Sequence, residues 1–289
     1  MMKDRLAVID VGSNSVRMVV YPSTALASPP LFNEKAMCGL GRGQTPGGAL
    51  AEEAMDRATD TIARFAHVAT AMGVGVIDAA ATAAVREASN RDEFLRRIQA
   101  EAGIAVRILS GKEEARLSAR GVLAASPGAS GLVGDLGGGS LELSQLDPSQ
   151  HDGLAQSVSL ALGTLRLASA NGRDGVLLDQ HIDAALADVE WLDQIRDGDL
   201  YIVGGAWRSL GRLEMARNRY PLRVLHGYAL PAARIASMCQ LFAGLSLESL
   251  QRIEAAPKDR LDPLSLAARI LGRLLTRCGA KRVVFSAHG

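Results

Sequence analysis

Short apolar runs alternate with longer amphipathic segments along most of the 289-residue chain. The short runs are rich in Val, Ile and Leu and are bounded by Gly, Ser or Asp, which is typical of buried strands. The longer segments carry apolar residues at helical spacing. Because strands and helices alternate, the pattern predicts an α/β fold with helices packed on both faces of the sheets.

The same pattern sets the limits of the predicted elements. Strands are predicted at Leu6–Val11, Val16–Tyr21, Val74–Ala79, Ala105–Leu109, Gly131–Leu136, Leu141–Leu146, Leu200–Val203 and Arg282–Phe285. Helices are predicted at Ala51–Met72, Arg91–Ala102, Lys112–Ala125, Asp179–Ile195, Ala206–Asn218, Pro231–Ala243 and Pro263–Cys278. The segment Tyr21–Gly48 has little periodicity and is predicted to be a loop or a weak strand.

A strand–turn–strand motif occurs twice, about 125 residues apart. The first copy contains Asp10-Val-Gly-Ser-Asn-Ser15, and the second contains Asp135-Leu-Gly-Gly-Gly-Ser140. A repeat at this spacing predicts two homologous lobes. The Pro-, Gly- and Ser-rich stretch 125–131 marks the boundary, with an N-terminal lobe at residues 1–126 and a second lobe at 127–289.

The composition argues against several classes of protein. A net charge of +1 does not suit a protein that coats nucleic acid, although a local basic cleft could still hold a polyanion. Cys38, Cys239 and Cys278 are odd in number and far apart, so neither a disulfide framework nor a zinc site is predicted. Because neither a signal-peptide pattern nor an apolar run of about 18 residues is present, we expect no membrane contact and a cytoplasmic location.

The two turns are candidate phosphate-binding sites. Glycine allows backbone N–H groups to approach a ligand, and several such groups together form a concavity that binds anions. The side chains of Ser13, Asn14, Ser15 and Ser140 can add further donors. Two tight β-hairpins that bind nothing are the alternative, but two copies, each with an Asp at the strand end, favour phosphate binding.

Three carboxylates accompany these turns. Asp10 and Asp135 occupy equivalent positions in the two copies, and Glu142 lies on the strand that leaves the second turn. Carboxylates at strand ends beside phosphate loops are suited to Mg²⁺, which prefers oxygen ligands and would neutralise phosphate charge. The alternative is that each Asp caps its hairpin by accepting backbone N–H bonds.

A capping box, Ser110-Gly-Lys-Glu113, opens the helix predicted at Lys112–Ala125. It assigns a structural role to Glu113 and leaves Glu114 available to orient or deprotonate an attacking water. The alternative is that Glu114 is a surface residue stabilised by the helix dipole, and spacing alone favours this alternative.

Basic and glycine-rich positions give weaker signals. Arg86 could bind a phosphate through two hydrogen bonds, or it could be a solvated surface residue. Arg166 and Arg208 have the same two interpretations with less support. The pair Gly204-Gly205, between a strand and a helix, fits either a nucleotide site or close strand–helix packing.

Six motifs occur in a recognisable order. They are Asp10-x-Gly-Ser-Asn-Ser, Thr82-Ala-Ala-Val-Arg86, Ser110-Gly-Lys-Glu-Glu-Ala-Arg116, Asp135-x-Gly-Gly-Gly-Ser-x-Glu142, Leu162-Gly-Thr-Leu-Arg166 and Gly204-Gly205. From about residue 5 to its end, the chain resembles the exopolyphosphatase / guanosine pentaphosphate phosphohydrolase (Ppx/GppA) family.

The resemblance implies an α/β fold of the actin-like ATPase (ASKHA) superfamily, with two ribonuclease-H-like lobes and an active site in the cleft between them. It implies that water attacks inorganic polyphosphate and releases its terminal phosphate, or that pppGpp is converted to ppGpp. Mg²⁺ is the implied cofactor, K⁺ or another monovalent cation is a second candidate, and a homodimer is expected.

The resemblance also implies roles for individual residues. Glu114 is the implied catalytic base, and Asp10, Asp135 and Glu142 are the implied metal-binding and water-orienting acids. Arg86 is the implied phosphate-side arginine. The phosphate-binding turn residues are Gly12, Ser13, Asn14 and Ser15 in the first copy and Gly137, Gly138, Gly139 and Ser140 in the second.

The chain departs from the family pattern at two places. Leu141 stands where family members often have Thr, so a hydroxyl contact beside Glu142 is expected to be missing. The chain ends at Ser286-Ala-His-Gly289, where family members usually continue into an Arg-bearing loop and a final helix, so a shortened C-terminal end is expected.

Three other functions are compatible with parts of the pattern. An ATP-dependent sugar or acetate kinase would share the fold, but the Glu113-Glu114-Ala-Arg stretch argues against it. A non-catalytic sensor of polyphosphate or alarmone is disfavoured because every acid that catalysis needs is present. A filament protein is supported by the fold alone.

Overall fold

The computed structural model describes residues 5–23, 29–170, 175–245 and 261–289. The chain divides into two compact units, Met1–Gly111 and Lys112–Gly289. Each unit is a sheet with helices packed against it. None of the helices described has the length and apolar character that crossing a bilayer requires.

The first unit is built on a five-stranded sheet in the order β3-β2-β1-β4-β5. Its elements are β1 (Leu6–Val11), β2 (Ser15–Tyr21), β3 (Phe32–Met37), α1 (Glu52–Ala71), β4 (Val76–Ala81), α2 (Ala83–Glu87), α3 (Arg91–Ala102) and β5 (Val106–Ile108). Strand β1 is antiparallel to β2 and parallel to β4.

The core of the first unit follows from two periodicities. Alternate residues of β2, Val16, Met18 and Val20, are fully buried, because successive side chains of a strand point to opposite faces. They share a core with Ile62 and Phe65, which lie on the apolar face of α1. Full burial of side chains of this size stabilises the fold by about 1.5–3 kcal/mol each.

The second unit is built on a six-stranded sheet in the order β10-β11-β9-β6-β7-β8. Its elements are α4 (Gly111–Ala125), β6 (Gly131–Leu136), β7 (Leu141–Leu146), β8 (Leu154–Leu160), α5 (Thr164–Ala170), α6 (Gly175–Ala187), a 3₁₀ helix (Glu190–Ile195), β9 (Asp199–Val203), α7 (Gly205–Arg217), β10 (Ala229–Pro231), α8 (Ala232–Ala243), α9 (Leu261–Cys278) and β11 (Arg282–Phe285).

The two sheets repeat the same topology. In the second unit, β8-β7-β6-β9-β11 matches β3-β2-β1-β4-β5 of the first in order and in strand direction. Each copy therefore consists of three antiparallel strands followed by two parallel ones. This confirms the predicted α/β fold with a ribonuclease-H-like arrangement in both units.

Opposite faces of the second sheet pack against different helices. On one face, Leu132 and Ile202 contact the cluster around Trp207 of α7, whose Nε1 donates a hydrogen bond to the carbonyl of Ala267 in α9 at 2.9 Å. On the other face, Val133 and other strand residues pack against α4. Helix α4 therefore belongs to the second unit, and the boundary lies at residues 111–112 instead of the predicted 126–127.

The predicted elements largely match those of the structure. All eight predicted strands are present with limits within two residues, whereas the helix predicted at Asp179–Ile195 is divided into α6 and a 3₁₀ helix. Strands β8 and β10 and helices α2 and α5 were not predicted. Strand β3 lies within the segment predicted as a loop or weak strand, and residues 24–28 of that segment lie outside the described residues.

Candidate functional site

The second glycine-rich turn closes the β6–β7 hairpin. The N–H of Gly137 donates to the carbonyl of Ser140 at 3.0 Å. The carbonyls of Gly137, Gly138 and Gly139 accept hydrogen bonds of 2.7–3.2 Å from residues 164–166 of α5. In a trans peptide the carbonyl and the following N–H point in opposite directions. The N–H groups of Gly138, Gly139 and Ser140 therefore point away from α5, on the side of the turn where they could donate to an anion.

Gly163, which immediately precedes α5, packs so closely against this turn that no side chain fits there. A Cβ atom at Gly163 would lie 2.2 Å from the carbonyl carbon of Gly139 and 2.3 Å from the carbonyl oxygen of Gly138. Both distances are far shorter than van der Waals contact. Gly163 thus allows α5 to begin directly against the turn and to hold its three carbonyls.

The first turn has the same construction. The N–H of Gly12 donates to the carbonyl of Ser15 at 3.0 Å, and the loop at residues 38–41 donates backbone N–H bonds of 2.7–3.2 Å to the carbonyls of Ser13 and Asn14. The N–H groups of Asn14 and Ser15 consequently point away from that loop. The Oδ1 atom of Asn14 is buried and has no hydrogen-bond partner in the described part of the chain, as expected of a group that binds a ligand.

Two acids of the second unit lie side by side on the sheet. Asp135 is the cross-strand partner of Glu142, and Glu142 is in turn the partner of Ser159 on β8. The hydroxyl of Ser159 donates to Oε1 of Glu142 at 2.6 Å, and the hydroxyl of Ser118 on α4 donates to Oδ2 of Asp135 at 2.6 Å. Each carboxylate is thus held by serine hydroxyls, that of Asp135 by Ser118 and that of Glu142 by Ser159 and Ser140.

Burial perturbs both acids. Glu142 is only 3% exposed, and burial, the nearby charge of Glu114 and that of Asp135 raise its pKa to about 8, although hydrogen bonds from Ser159 and Ser140 oppose the shift. Burial also raises the pKa of the Asp135 carboxyl, while Ser118 and the charge of Arg208 act in the opposite direction. Such shifts are typical of functional sites.

Glu114 lies in the first turns of α4, where its charge acts on Glu142. The start of α4 at Gly111 leaves Ser110 at the N-cap position, as the capping box predicts. The helix is also tied to β7, because the hydroxyl of Ser144 donates to the carbonyl of Ala115 at 3.1 Å. The three acids Glu114, Asp135 and Glu142 therefore form one cluster beside the second turn.

The predicted site residues of the first unit do not repeat the acid pair of the second unit. Asp10 is exposed near the end of β1, and its cross-strand partner is Arg17, where the second copy has Glu142. The repeat is therefore not symmetrical in charge. Arg86 lies on α2, and its guanidinium donates to the carbonyl of Leu109 at 3.0 Å.

Three weaker sequence signals have structural explanations. The Nε of Arg166 donates to the carbonyl of Gly139, so Arg166 supports the turn. Arg208 donates to the carbonyl of Ala287 at 3.2 Å. Gly204 has φ of 103°, and a Cβ there would lie 2.3 Å from the carbonyl oxygen of Leu136, so this glycine serves close packing between β9 and β6.

Mg²⁺ is the metal ion that the sequence predicts at this site. In the described ranges, no three His, Cys, Asp or Glu side chains are grouped as a metal site. The pair of the buried Glu142 and the partly buried Asp135 nevertheless suits this ion, which often uses one or two carboxylates and completes its shell with water and phosphate oxygens. A metal role for Asp10, Asp135 and Glu142 stays a prediction.

Sequence reasoning did not find Ser118, Ser159 or the supporting role of Gly163. Ser118 follows Glu114 by one helical turn, and this spacing was the available signal. Leu141, by contrast, is fully buried in the apolar core, on the face of β7 opposite to Glu142. A hydroxyl at that position would not face Glu142, and Ser159 supplies that contact instead.

The repeated sheet, with an Asp-x-Gly hairpin turn at the same point of each unit, defines an actin-like α/β protein with two ribonuclease-H-like units. The chain belongs to the Ppx/GppA phosphatase family, whose model matches residues 19–289. This membership confirms the resemblance inferred from the six motifs.

Curated relatives have related names. The chain is 33% identical to exopolyphosphatase 1 of Mycobacterium leprae over 221 residues, which are 72% of this chain and 64% of that protein. It is 34% identical to exopolyphosphatase 1 of Mycobacterium tuberculosis over 164 residues, which are 56% of this chain and 47% of that protein. The matched segment thus spans between about half and two thirds of these relatives.

Solved structures agree over nearly the whole chain. An exopolyphosphatase from Cytophaga hutchinsonii superposes with a TM-score of 0.88 at 25% identity, covering 99% of this chain and 95% of that one. The Ppx/GppA enzyme of Aquifex aeolicus gives a TM-score of 0.81 at 22% identity, covering 99% and 96%, and supports the fold.

Proposed function

We propose that the chain is an exopolyphosphatase, which uses water to release the terminal orthophosphate of inorganic polyphosphate. The observation that carries the proposal is the acid cluster of Glu114, Asp135 and Glu142 beside a turn whose three N–H groups point away from α5. Family membership and the names of the curated relatives support it.

The turn residues would bind the phosphate that is transferred. The N–H groups of Gly138, Gly139 and Ser140 donate to its oxygens and favour the negative charge that develops on them. Fixed donors do not need to reorganise during the reaction, which is why such groups accelerate phosphoryl transfer. The turn of the first unit, taken by itself, also carries N–H groups suited to an anion, those of Asn14 and Ser15.

Glu114 would orient the attacking water and accept its proton. Its position near the start of α4, next to the buried acid Glu142, keeps it beside the turn. Phosphoryl transfer depends on positioning and electrostatics, so no covalent nucleophile on the protein is required.

Mg²⁺ is the proposed cofactor, with Asp135 and Glu142 as its candidate ligands in this unit. When bound, it would neutralise charge on the phosphate oxygens. The raised pKa of Glu142 fits this proposal, because a cation would relieve the repulsion between buried carboxylates. Homodimer formation, a K⁺ site and a cytoplasmic location stay predictions.

The test is release of orthophosphate from long-chain polyphosphate, pppGpp and ATP, each with Mg²⁺ and with EDTA. We expect Mg²⁺-dependent release from polyphosphate. Faster release from pppGpp would assign the alarmone as substrate. Tight binding of polyphosphate without release from any substrate would identify a sensor and refute the proposed enzyme.

A further inference from the structure

Ser118 differs from most other hydroxyl residues in the helices that the structure describes. Many of those hydroxyls donate to the carbonyl four residues earlier in their own helix, which is the usual local bond of Ser and Thr. The residues that do so are Thr61, Thr70, Ser169, Ser209, Ser237 and Thr276. The hydroxyl of Ser118 leaves its helix and donates to Oδ2 of Asp135 at 2.6 Å.

The position of Ser118 links two of the acids. It lies four residues after Glu114, so both side chains are on the same face of α4. It is only 5% exposed, and its 2.6 Å bond has the length of a strong hydrogen bond from a hydroxyl to a carboxylate. This bond restricts rotation of the Asp135 carboxylate and fixes α4 relative to β6.

We infer that Ser118 is a positioning residue, which orients the carboxylate of Asp135 and holds Glu114 at a fixed position relative to it. This inference rests on the proposed function and extends it to a residue outside the six sequence motifs. Loss of the hydroxyl keeps all three acids in the chain but lets the Asp135 carboxylate rotate and loosens Glu114 relative to it, so the rate of the chemical step should fall more than substrate binding does.

Ser144 provides a matched control. Its hydroxyl also ties α4 to the sheet, because it donates to the carbonyl of Ala115 at 3.1 Å. It also bonds to the hydroxyl of Ser157 on the neighbouring strand β8 at 2.9 Å. Neither partner is an acid of the cluster. A variant of Ser144 therefore removes a bond across the same interface without changing the hydrogen bonds of Asp135.

The experiment compares Ser118→Thr with Ser118→Val, which have the same shape and differ in the hydroxyl. We expect kcat for polyphosphate to be about 10- to 100-fold lower in Ser118→Val than in Ser118→Thr, with KM changed by less than about threefold. Ser144→Ala should stay within about threefold of the parent protein. Equal kcat in the Thr and Val variants, or an equal loss in Ser144→Ala, would overturn the inference.

Phosphate release by the parent protein tests the proposed function. A second measurement tests the role of Ser118 independently of that function. Thermal unfolding of the Thr and Val variants is compared with and without Asp135→Ala. We expect the midpoint to differ by roughly 2–6 °C when Asp135 is present and to be the same when it is absent. The same difference in both backgrounds would show that the hydroxyl does not act on Asp135, even in a protein that releases no phosphate.

Discussion

Asp135 and Glu142 face each other directly across the antiparallel strands β6 and β7. Directly opposed side chains on one face have Cβ atoms about 4.5–5.5 Å apart, and like charges at this distance destabilise a sheet. Hydroxyl groups partly screen the pair, in which Glu142 is almost fully buried and Asp135 is partly buried. A proton or a cation is therefore needed to make this arrangement stable.

The first prediction concerns pH. In buffer with EDTA, the free energy of unfolding should fall as pH rises from about 5 to about 8. The pKa of Glu142 is about 8 in the folded protein against an ordinary value of 4.5, so the folded state holds more protons throughout this window. Below 4.5 the group is protonated in both states, and above about 8 the loss is complete.

Glu142→Gln is the matched control for that prediction. Because Gln does not titrate, its urea-unfolding profile should lack this decrease between pH 5 and pH 8. Adding Mg²⁺ at pH 8 should stabilise the parent protein more than the variant, since binding to the folded state raises its stability. Parallel pH profiles for the two proteins would show that Glu142 is not the group responsible.

Glu114→Gln should lower kcat for polyphosphate by about 10²–10⁴-fold, the usual contribution of a general base. The amide keeps the size of the side chain but cannot accept a proton. The neighbouring acid Glu113 is exposed at the helix start, and Gln also serves in a capping box, so Glu113→Gln should remain close to the parent. Phosphate-release kinetics measure both variants, and full activity of Glu114→Gln would remove its assignment as base.

Much of the fold could be predicted from the sequence because its strands have strong local signals. Strand β6 is a short apolar run between a Gly-rich stretch and an Asp-x-Gly turn, and its limits agree with the prediction. Strand β8 was missed because it contains Gln156, Ser157 and Ser159, which suit an irregular segment as well as a strand. The polar residues are explained by tertiary contacts, since two of them bond to β7.

The candidate site also contains residues that local motifs identify and residues whose role depends on tertiary contacts. The turns and acids could be found because each lies within a compact motif. The role of Ser118 could not, because it depends on the register in which α4 packs against β6, and a single sequence does not contain that register. The same reason explains why spacing alone gave Glu114 a surface role.

Gly163→Ala should damage the second turn. The new methyl group would lie 2.2–2.4 Å from backbone atoms of Gly138 and Gly139, so either the turn or α5 must move. We expect KM for polyphosphate to rise by about tenfold or more, because the N–H groups of the turn would be displaced from the positions that α5 holds them in. Stability should also fall by about 1–3 kcal/mol through overpacking.

The control for Gly163 is Gly244→Ala in the same unit. A Cβ atom at Gly244 meets its nearest neighbours at an ordinary 3.7 Å, and the residue lies at the end of α8. Its KM should therefore be unchanged. Equal KM values for both alanine variants, measured under the same conditions, would contradict a role of Gly163 in shaping the turn.

Glu214 offers a stability test that is independent of catalysis. Its fully buried carboxylate accepts hydrogen bonds from Arg217 and Asn218 at the C-terminal end of its own helix, α7, and from Arg234 on α8. Burial alone would raise its pKa, but these partners outweigh burial and lower it.

Glu214→Gln should therefore lower the free energy of unfolding by about 2–3 kcal/mol at pH 7. Because the pKa of Glu214 is lowered in the folded protein, its charge stabilises the fold above the ordinary pKa of 4.5. This stabilisation is lost as pH falls through the folded-state pKa. The difference in free energy of unfolding between the parent protein and Glu214→Gln should therefore shrink in acid. Urea unfolding at pH 7 and at about pH 3 measures both effects, and a difference that is constant with pH would mean that the Glu214 charge is not what stabilises the contact between α7 and α8.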